Sequence, residues 1–168
     1  MLREALRGAA AGAVGTVALD ITTYADMMIR GRPSSNVPAQ VAEKLTQAVG
    51  VDLAADAGDT GGQSKDGAAA QAQEQQRLSG LGALMGYATG LTVGALYGLT
   101  RPAIGKLPLP LARLALGAVA MVGSDVPAVA TGATDPKTWG TSGWLADIVP
   151  HAIYGLVTVA AYELFDDE

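Results

Sequence analysis

Five glycines in strict register occupy the middle of the chain. Gly82, Gly86, Gly90, Gly94 and Gly98 recur at every fourth residue between Gly80 and Thr100. On an α-helix this spacing lays them along one slowly drifting stripe. Leu81, Leu84, Met85, Leu91, Val93, Leu96 and Leu99 fill the other faces. No charged residue falls between Arg77 and Arg101, an interval long enough to cross about 30 Å of hydrocarbon. In water such a helix would lose roughly 1 kcal/mol per glycine against alanine. In lipid the backbone must bond within the helix, and small residues let a neighbouring helix approach closely. The stretch therefore predicts a membrane-spanning helix with a packing seam of glycines.

The same reasoning finds three more apolar spans, so the expected fold is all-α: a polytopic four-helix membrane bundle forming one domain. Span 1 covers residues 6–29, bracketed by Arg7 and Arg30. Its start, MLREALRGAAAGAVG, has the arginines and apolar run of a signal peptide, but the apolar run continues through Met28. It is read as a retained span. Span 2 covers 80–100, span 3 covers 109–130 and span 4 covers 144–165, with Trp139 and Trp144 placed as interfacial anchors. Between spans 1 and 2 lies a polar loop, 31–79. Within it Val37, Val41, Leu45 and Val49 recur at spacing four, predicting a short amphipathic helix that lies on the bilayer or caps the bundle. Asp52 to Gly67 is rich in Gly, Asp and Ala and reads as mobile, whereas AAAQAQEQQRL (Ala68 to Leu78) favours helix and extends span 2 into water. Arg3, Arg7, Arg101, Lys106 and Arg113 share one side of this topology, which places both termini in the cytoplasm of a bacterial inner-membrane protein. The chain closes on an acidic tail, Asp166, Asp167 and Glu168.

Composition narrows the chemistry. Charged residues are only 16% of the chain, below the roughly 25% of soluble domains. Mean hydropathy is a modest +0.27 because the polar loop dilutes the spans. The absence of cysteine removes disulfides, thiolate metal sites and cysteine nucleophiles, and one histidine rules out a multi-histidine metal site within one chain. A net charge of −5 without a basic cluster argues against nucleic acid. No GxSxG, HExxH, Walker A or dinucleotide fingerprint occurs. Neither cofactor nor metal is expected, and the expected partners are the lipid bilayer and either further copies of the chain or a membrane complex.

Two segment pairs point to duplication. GAVGTVALD (Gly12 to Asp20) and GAVAMVGSD (Gly117 to Asp125) agree at five of nine positions, and GLTVGALYGL (Gly90 to Leu99) and GLVTVAAYEL (Gly155 to Leu164) at five of ten. Spans 1–2 and 3–4 then form two copies of one hairpin, related by an axis along the membrane normal. Apolar segments match cheaply, but the paired Asp and Tyr do not.

Several polar residues lie inside the spans. Counted along the helices, Asp20, Asp125 and His151 reach a common depth in the outer half of the membrane, with Tyr24, Asp147 and Tyr154 nearby. Carboxylates in hydrocarbon must pair, become neutral or face water. One reading is a proton or cation site in which carboxylates and a histidine share a proton. The other is a hydrogen-bonded cluster that fixes helix packing. Arg30 and Arg32, in the basic and hydroxyl-rich RGRPSS, are candidates for holding a lipid phosphate, although helix-end arginines also serve as plain anchors.

The motifs ALDxxTYxDM (Ala18 to Met27) and YGLxTxxAYEL (Tyr154 to Leu164), together with the four glycine-rich spans, resemble small uncharacterised bacterial inner-membrane proteins of the YagU-like group. The resemblance implies an integral membrane protein and carries no established activity or site residues. The leading functional expectation is a non-enzymatic structural or accessory subunit of a membrane assembly. The alternative is a small proton or cation channel or transporter.

Overall fold

The computed structural model describes residues 1–51, 67–104 and 107–166, which form five α-helices and no strand. Helix α1 (Leu2–Arg30) ends where Gly31 turns left-handed at φ 63°, a conformation favouring glycine. Pro33 follows at once. Helix α2 (Val37–Ala48) begins after Asn36 with a proline in its first turn, where the missing N–H costs nothing. Helix α3 (Gly67–Ile104) runs unbroken for 38 residues, about 57 Å. The helix-favouring segment Ala68 to Leu78 is thus continuous with the glycine stretch. Helices α4 (Leu109–Ala130) and α5 (Thr141–Asp166) complete the set. They are joined through a 3-10 turn at Pro136–Thr138, where the Asp135 carboxylate accepts from the Lys137 N–H at 3.0 Å. The segment read as mobile, residues 52–66, lies outside the described residues, as do Lys106 and the last two acids of the tail.

The four long helices form a ring in the order α1, α3, α4, α5, with α1 and α4 on opposite corners. Glycine sets how closely they approach. A Cβ on Gly12 would stand 2.5 Å from the Gly90 carbonyl oxygen, and one on Gly94 would stand 2.7 Å from the Gly12 Cα. One on Gly98 would lie 3.1 Å from the Gly8 Cα. Helices α1 and α3 therefore touch backbone to backbone, and α4 and α5 do the same where Gly117 meets the His151 carbonyl and Gly155 meets Gly117. The stripe on α3 has more than one use. Gly82 receives the backbone of Pro38 at the start of α2, while Gly86 faces open space.

What remains inside is small or aromatic. Ala11, Val93, Leu116, Ala120, Val159 and Ala161 surround three buried tyrosines, Tyr97, Tyr154 and Tyr162. The rings of Tyr97 and Tyr162 meet edge to face at 5.3 Å, a favoured aromatic geometry. Helix α2 packs mainly on the first half of α3 through Ala39, Ala42 and Leu78, with Leu81 and Met85 against them. Its expected stripe is rotated: Val41 is buried, but Leu45 and Val49 are exposed. The alanines fit the narrow gap that Gly82 opens, and a face of larger side chains does not.

Helices α4 and α5 are long and apolar enough to cross a membrane, over Leu109–Ala130 and Thr141–Phe165. Helices α1 and α3 have the length but fall short in apolarity. Glycine, threonine and charged side chains occupy positions where leucine would raise it.

The glycine contacts predict opposite outcomes at two positions on one helix. Gly94→Ala forces its new methyl into Gly8 and Gly12 and should cost about 1–3 kcal/mol. Gly86→Ala meets nothing and should stabilise by up to about 1 kcal/mol through helix propensity. Thermal unfolding of the two variants checks this; equal effects would show that α1 and α3 do not meet at Gly94.

Candidate functional site

The expected constellation of Asp20, Asp125 and His151 is distributed over two places. His151 lies on α5, one turn beyond Asp147. Its Nδ1 faces the Asp147 carbonyl oxygen at 2.8 Å and Asp147 Oδ1 at 3.2 Å. On the other side of the ring Nε2 meets Ser124 Oγ of α4 at 3.2 Å. Asp125, next to Ser124, lies within electrostatic reach of both Asp147 and His151. One α4–α5 face thus gathers Ser124, Asp125, Asp147 and His151; the shielded Asp147 Oδ2 meets no fixed N–H or O–H donor, and the Asp147 side chain lies within hydrogen-bonding reach of the Asp125 carboxyl. The Gly117–Gly155 crossing brings the two backbones close enough for this.

Asp20 stands apart. It belongs to α1, diagonal to α4, and its carboxylate accepts from the Tyr87 hydroxyl of α3 at 2.9 Å. Tyr24 is exposed. Tyr154 is buried in the centre, where its hydroxyl donates to the Gly90 carbonyl at 2.6 Å and locks α5 onto the glycine stretch of α3. This bond is available because a helical carbonyl has a second lone pair and Gly90 has no side chain to cover it.

Arg30 and Arg32 are engaged within the protein. The Arg30 guanidinium makes a two-pronged contact with Asp26, at 2.5 and 2.6 Å, and Arg32 Nε donates to the same carboxylate. Arg30 also reaches across to the start of α5, donating to Ser142 Oγ at 2.6 Å. Hydrogen bonding to Asp26 pushes the Arg30 guanidinium above its already high ordinary value, so it remains a cation. The cluster pins the end of α1 to the beginning of α5.

The α4–α5 cluster has groups that can hold a proton between them. With Nδ1–H directed at Asp147, a neutral His151 offers the Nε2 lone pair to the Ser124 hydroxyl; a protonated one donates on both sides. Two carboxyl groups and one imidazole in an apolar setting favour at most one net charge, which makes the proton count the variable quantity. The order Ser–His–Asp also resembles a nucleophilic triad. Ser124, however, sits in a helix interior whose backbone N–H groups are committed to the helix, leaving an oxyanion without donors there. Among the described residues no three acids or histidines assemble into a metal cage. An open groove of about 830 Å³ lies elsewhere, lined by Leu2, Arg3, Leu6, Arg7, Ala10 and Phe165.

Tyr87, Ser124 and Ser142 are partners that the sequence reading did not single out. Tyr87 was within reach of it. Counting from the Gly12–Gly94 contact, outward along α1 and backward along α3, brings Asp20 opposite Gly86 and Tyr87. That count needs the pairing of the two helices, which spacing within one helix does not supply.

Comparison of the chain with known protein families, with characterised proteins and with solved structures finds no match. The site must therefore be interpreted from its own chemistry.

The division into two places has a measurable consequence. In double-mutant cycles scored by thermal unfolding, Asp147→Asn and His151→Gln should couple by about 0.5–3 kcal/mol. Asp20→Asn and His151→Gln should add within about 0.5 kcal/mol. Strong coupling of the second pair would place Asp20 in the α4–α5 cluster.

Proposed function

We propose that this chain is an integral membrane protein crossing the bilayer four times through α1, α3, α4 and α5, with both termini in the cytoplasm. The observation that carries this reading is where the large apolar side chains lie. Val14, Val17 and Ile21 on α1, Leu84, Leu91 and Leu96 on α3, Leu114, Val119 and Val122 on α4, and Leu145, Ile148 and Leu156 on α5 are all exposed. Only 22% of the apolar window of α4 and 39% of that of α5 is buried, unlike the core helices of a soluble protein. Soluble monomers rarely leave more than a few hundred Å² of continuous apolar surface in water. A bilayer removes that cost and accounts for an interior built of small residues. The bacterial inner membrane is favoured by the resemblance of ALDxxTYxDM and YGLxTxxAYEL to the YagU-like group.

Duplication of a two-helix unit is supported by the contacts at aligned positions. Gly12 meets Gly90 in the first half, and their counterparts Gly117 and Gly155 meet in the second. Tyr97 and its counterpart Tyr162 face one another.

Within this frame the chain acts as a non-enzymatic structural or accessory subunit of a membrane assembly. Helix α4 supports this role because it packs chiefly on α5 and leaves Leu114, Val119, Val122 and Val126 outward. That face suits a second copy or a partner helix. A second reading, proton or cation movement through Asp125, Asp147 and His151, is favoured by the two carboxyl groups lying within hydrogen-bonding reach of one another beside the imidazole.

Membranes carrying the chain should retain it through an alkaline carbonate wash; release into the supernatant would defeat the membrane reading. In proteoliposomes, the subunit reading expects no proton or cation flux from pH 5 to 8. Flux that titrates with pH and disappears in Asp125→Asn would instead establish the transport reading.

A further inference from the structure

The end of the bundle that carries Glu4 holds two shielded hydrogen-bond donors without partners. Tyr97 is only 4% exposed, yet its hydroxyl bonds to nothing among the described residues, and neither does Arg113 Nε. Tyr97 lies on α3 with its ring against Tyr162 of α5, and Arg113 lies on α4. Arg101, Glu163 and Arg113 all lie within electrostatic reach of the Tyr97 hydroxyl. Glu163 is already engaged by Arg101 at 3.6 Å. Arg113 is left as a cation with no acid against it among the described residues.

The other half of the bundle shows what fills such a position. Tyr162, the counterpart of Tyr97 and its edge-to-face neighbour, donates its hydroxyl to Glu4 Oε2 at 2.6 Å. Glu4 in turn faces Arg7 at 3.8 Å. Aligning Gly12 with Gly117 sets Leu109 of α4 opposite Glu4 of α1. Helix α4 therefore offers Tyr97 an arginine, Arg113, but no carboxylate at the position that corresponds to Glu4. This comparison draws on the duplication proposed above; the two unfilled donors do not depend on it.

We propose that an oxyanion of the phosphate class binds between α3, α4 and α5 at this end, accepting hydrogen bonds from the Tyr97 hydroxyl and from Arg113. A phosphate group offers several oxygens at once, so it can satisfy both donors and neutralise the guanidinium. A bond between Tyr97 and Arg113 alone would leave the charge uncompensated. Two sources share this chemistry: the headgroup of an anionic phospholipid and free phosphate. The first rests on the membrane reading, which would put Arg101 and Arg113 at headgroup depth; the second does not.

The test uses the full chain purified in detergent, with thermal unfolding followed against phosphatidylglycerol, an uncharged phosphate-free glycolipid, and inorganic phosphate balanced with chloride. Phosphatidylglycerol should stabilise the wild type and the glycolipid should not. Arg113→Gln should weaken that effect about tenfold, and Tyr97→Phe should weaken it less. Without ligand, Tyr97→Phe should unfold no earlier than wild type, because its hydroxyl has no partner to lose. This variant keeps the test informative if Arg113→Gln does not fold. Stabilisation by inorganic phosphate, lost in the same variants, would identify free anion as the occupant. A wild type indifferent to both phosphates, or variants that respond as the wild type does, would overturn the proposal. The carbonate wash tests the membrane reading separately, and the inorganic phosphate arm reads the site whichever way that wash turns out.

Discussion

Contact between helix backbones at Gly8, Gly12, Gly94 and Gly98 is the constraint on which the other positions in this bundle depend. Hydrogen is the only side chain that fits between α1 and α3 at that distance. Once those glycines face one another, the antiparallel register follows, since sliding either helix by one residue would drive a methyl or larger group into a carbonyl. Register then determines which polar groups meet. Asp20 finds Tyr87 because each lies about two turns along from the crossing, and Tyr154 finds a bare carbonyl at Gly90 because no side chain shields it. The approach of α4 and α5 at Gly117 and Gly155 does the same for Ser124 and His151.

Close packing by glycine displaces bulk to the outside. A seam of hydrogens buries little apolar area, so the hydrophobic effect in water would gain little from it, and leucine and valine are pushed onto the outer faces. Hydroxyl groups are settled locally: Thr16 bonds back to the Gly12 carbonyl and Thr89 to that of Met85, each one turn earlier. Such back-bonding lets polar residues occupy a helix without needing water. Many large apolar side chains thus lie outside a core of alanine, valine, leucine and tyrosine, which is the physical ground of the membrane proposal.

The helix pairs α1–α3 and α4–α5 each cross at glycines but are held unequally by their neighbours. Helix α1 is held closely by both α3 and α5, and its ends are tied down by Glu4 with Tyr162 and by Asp26 with its two arginines. Helix α4 leans mainly on α5 and only lightly on α3. Among the described residues, Tyr97, Arg113, Asp147 and Thr158 each carry a shielded polar atom with no hydrogen-bond partner; Thr158 lies against Gly15 of α1, and Arg113 belongs to α4 itself.

Much of the fold was legible in the chain alone. Apolar runs without charge, glycine every fourth residue and apolar residues at helical spacing are local features, and they yielded five helices with bounds close to those observed. Proximity of Asp147 to His151 was equally local, one turn on one helix. Decisions between helices were not accessible, because a stripe of glycines does not name the surface it will meet. Gly82 turned out to receive α2, Gly86 nothing, and Gly94 the backbone of α1. Depth counted along each span placed Asp20 level with Asp125, but depth says nothing of position around the ring, and tertiary packing put them on opposite corners. By itself, then, the sequence determined where helices form and which of their faces can approach closely, since both follow from neighbours a few bonds or one turn away. Which faces meet, and so which polar groups become partners, was decided only by the tertiary structure, where steric fit between distant segments selects one pairing among several.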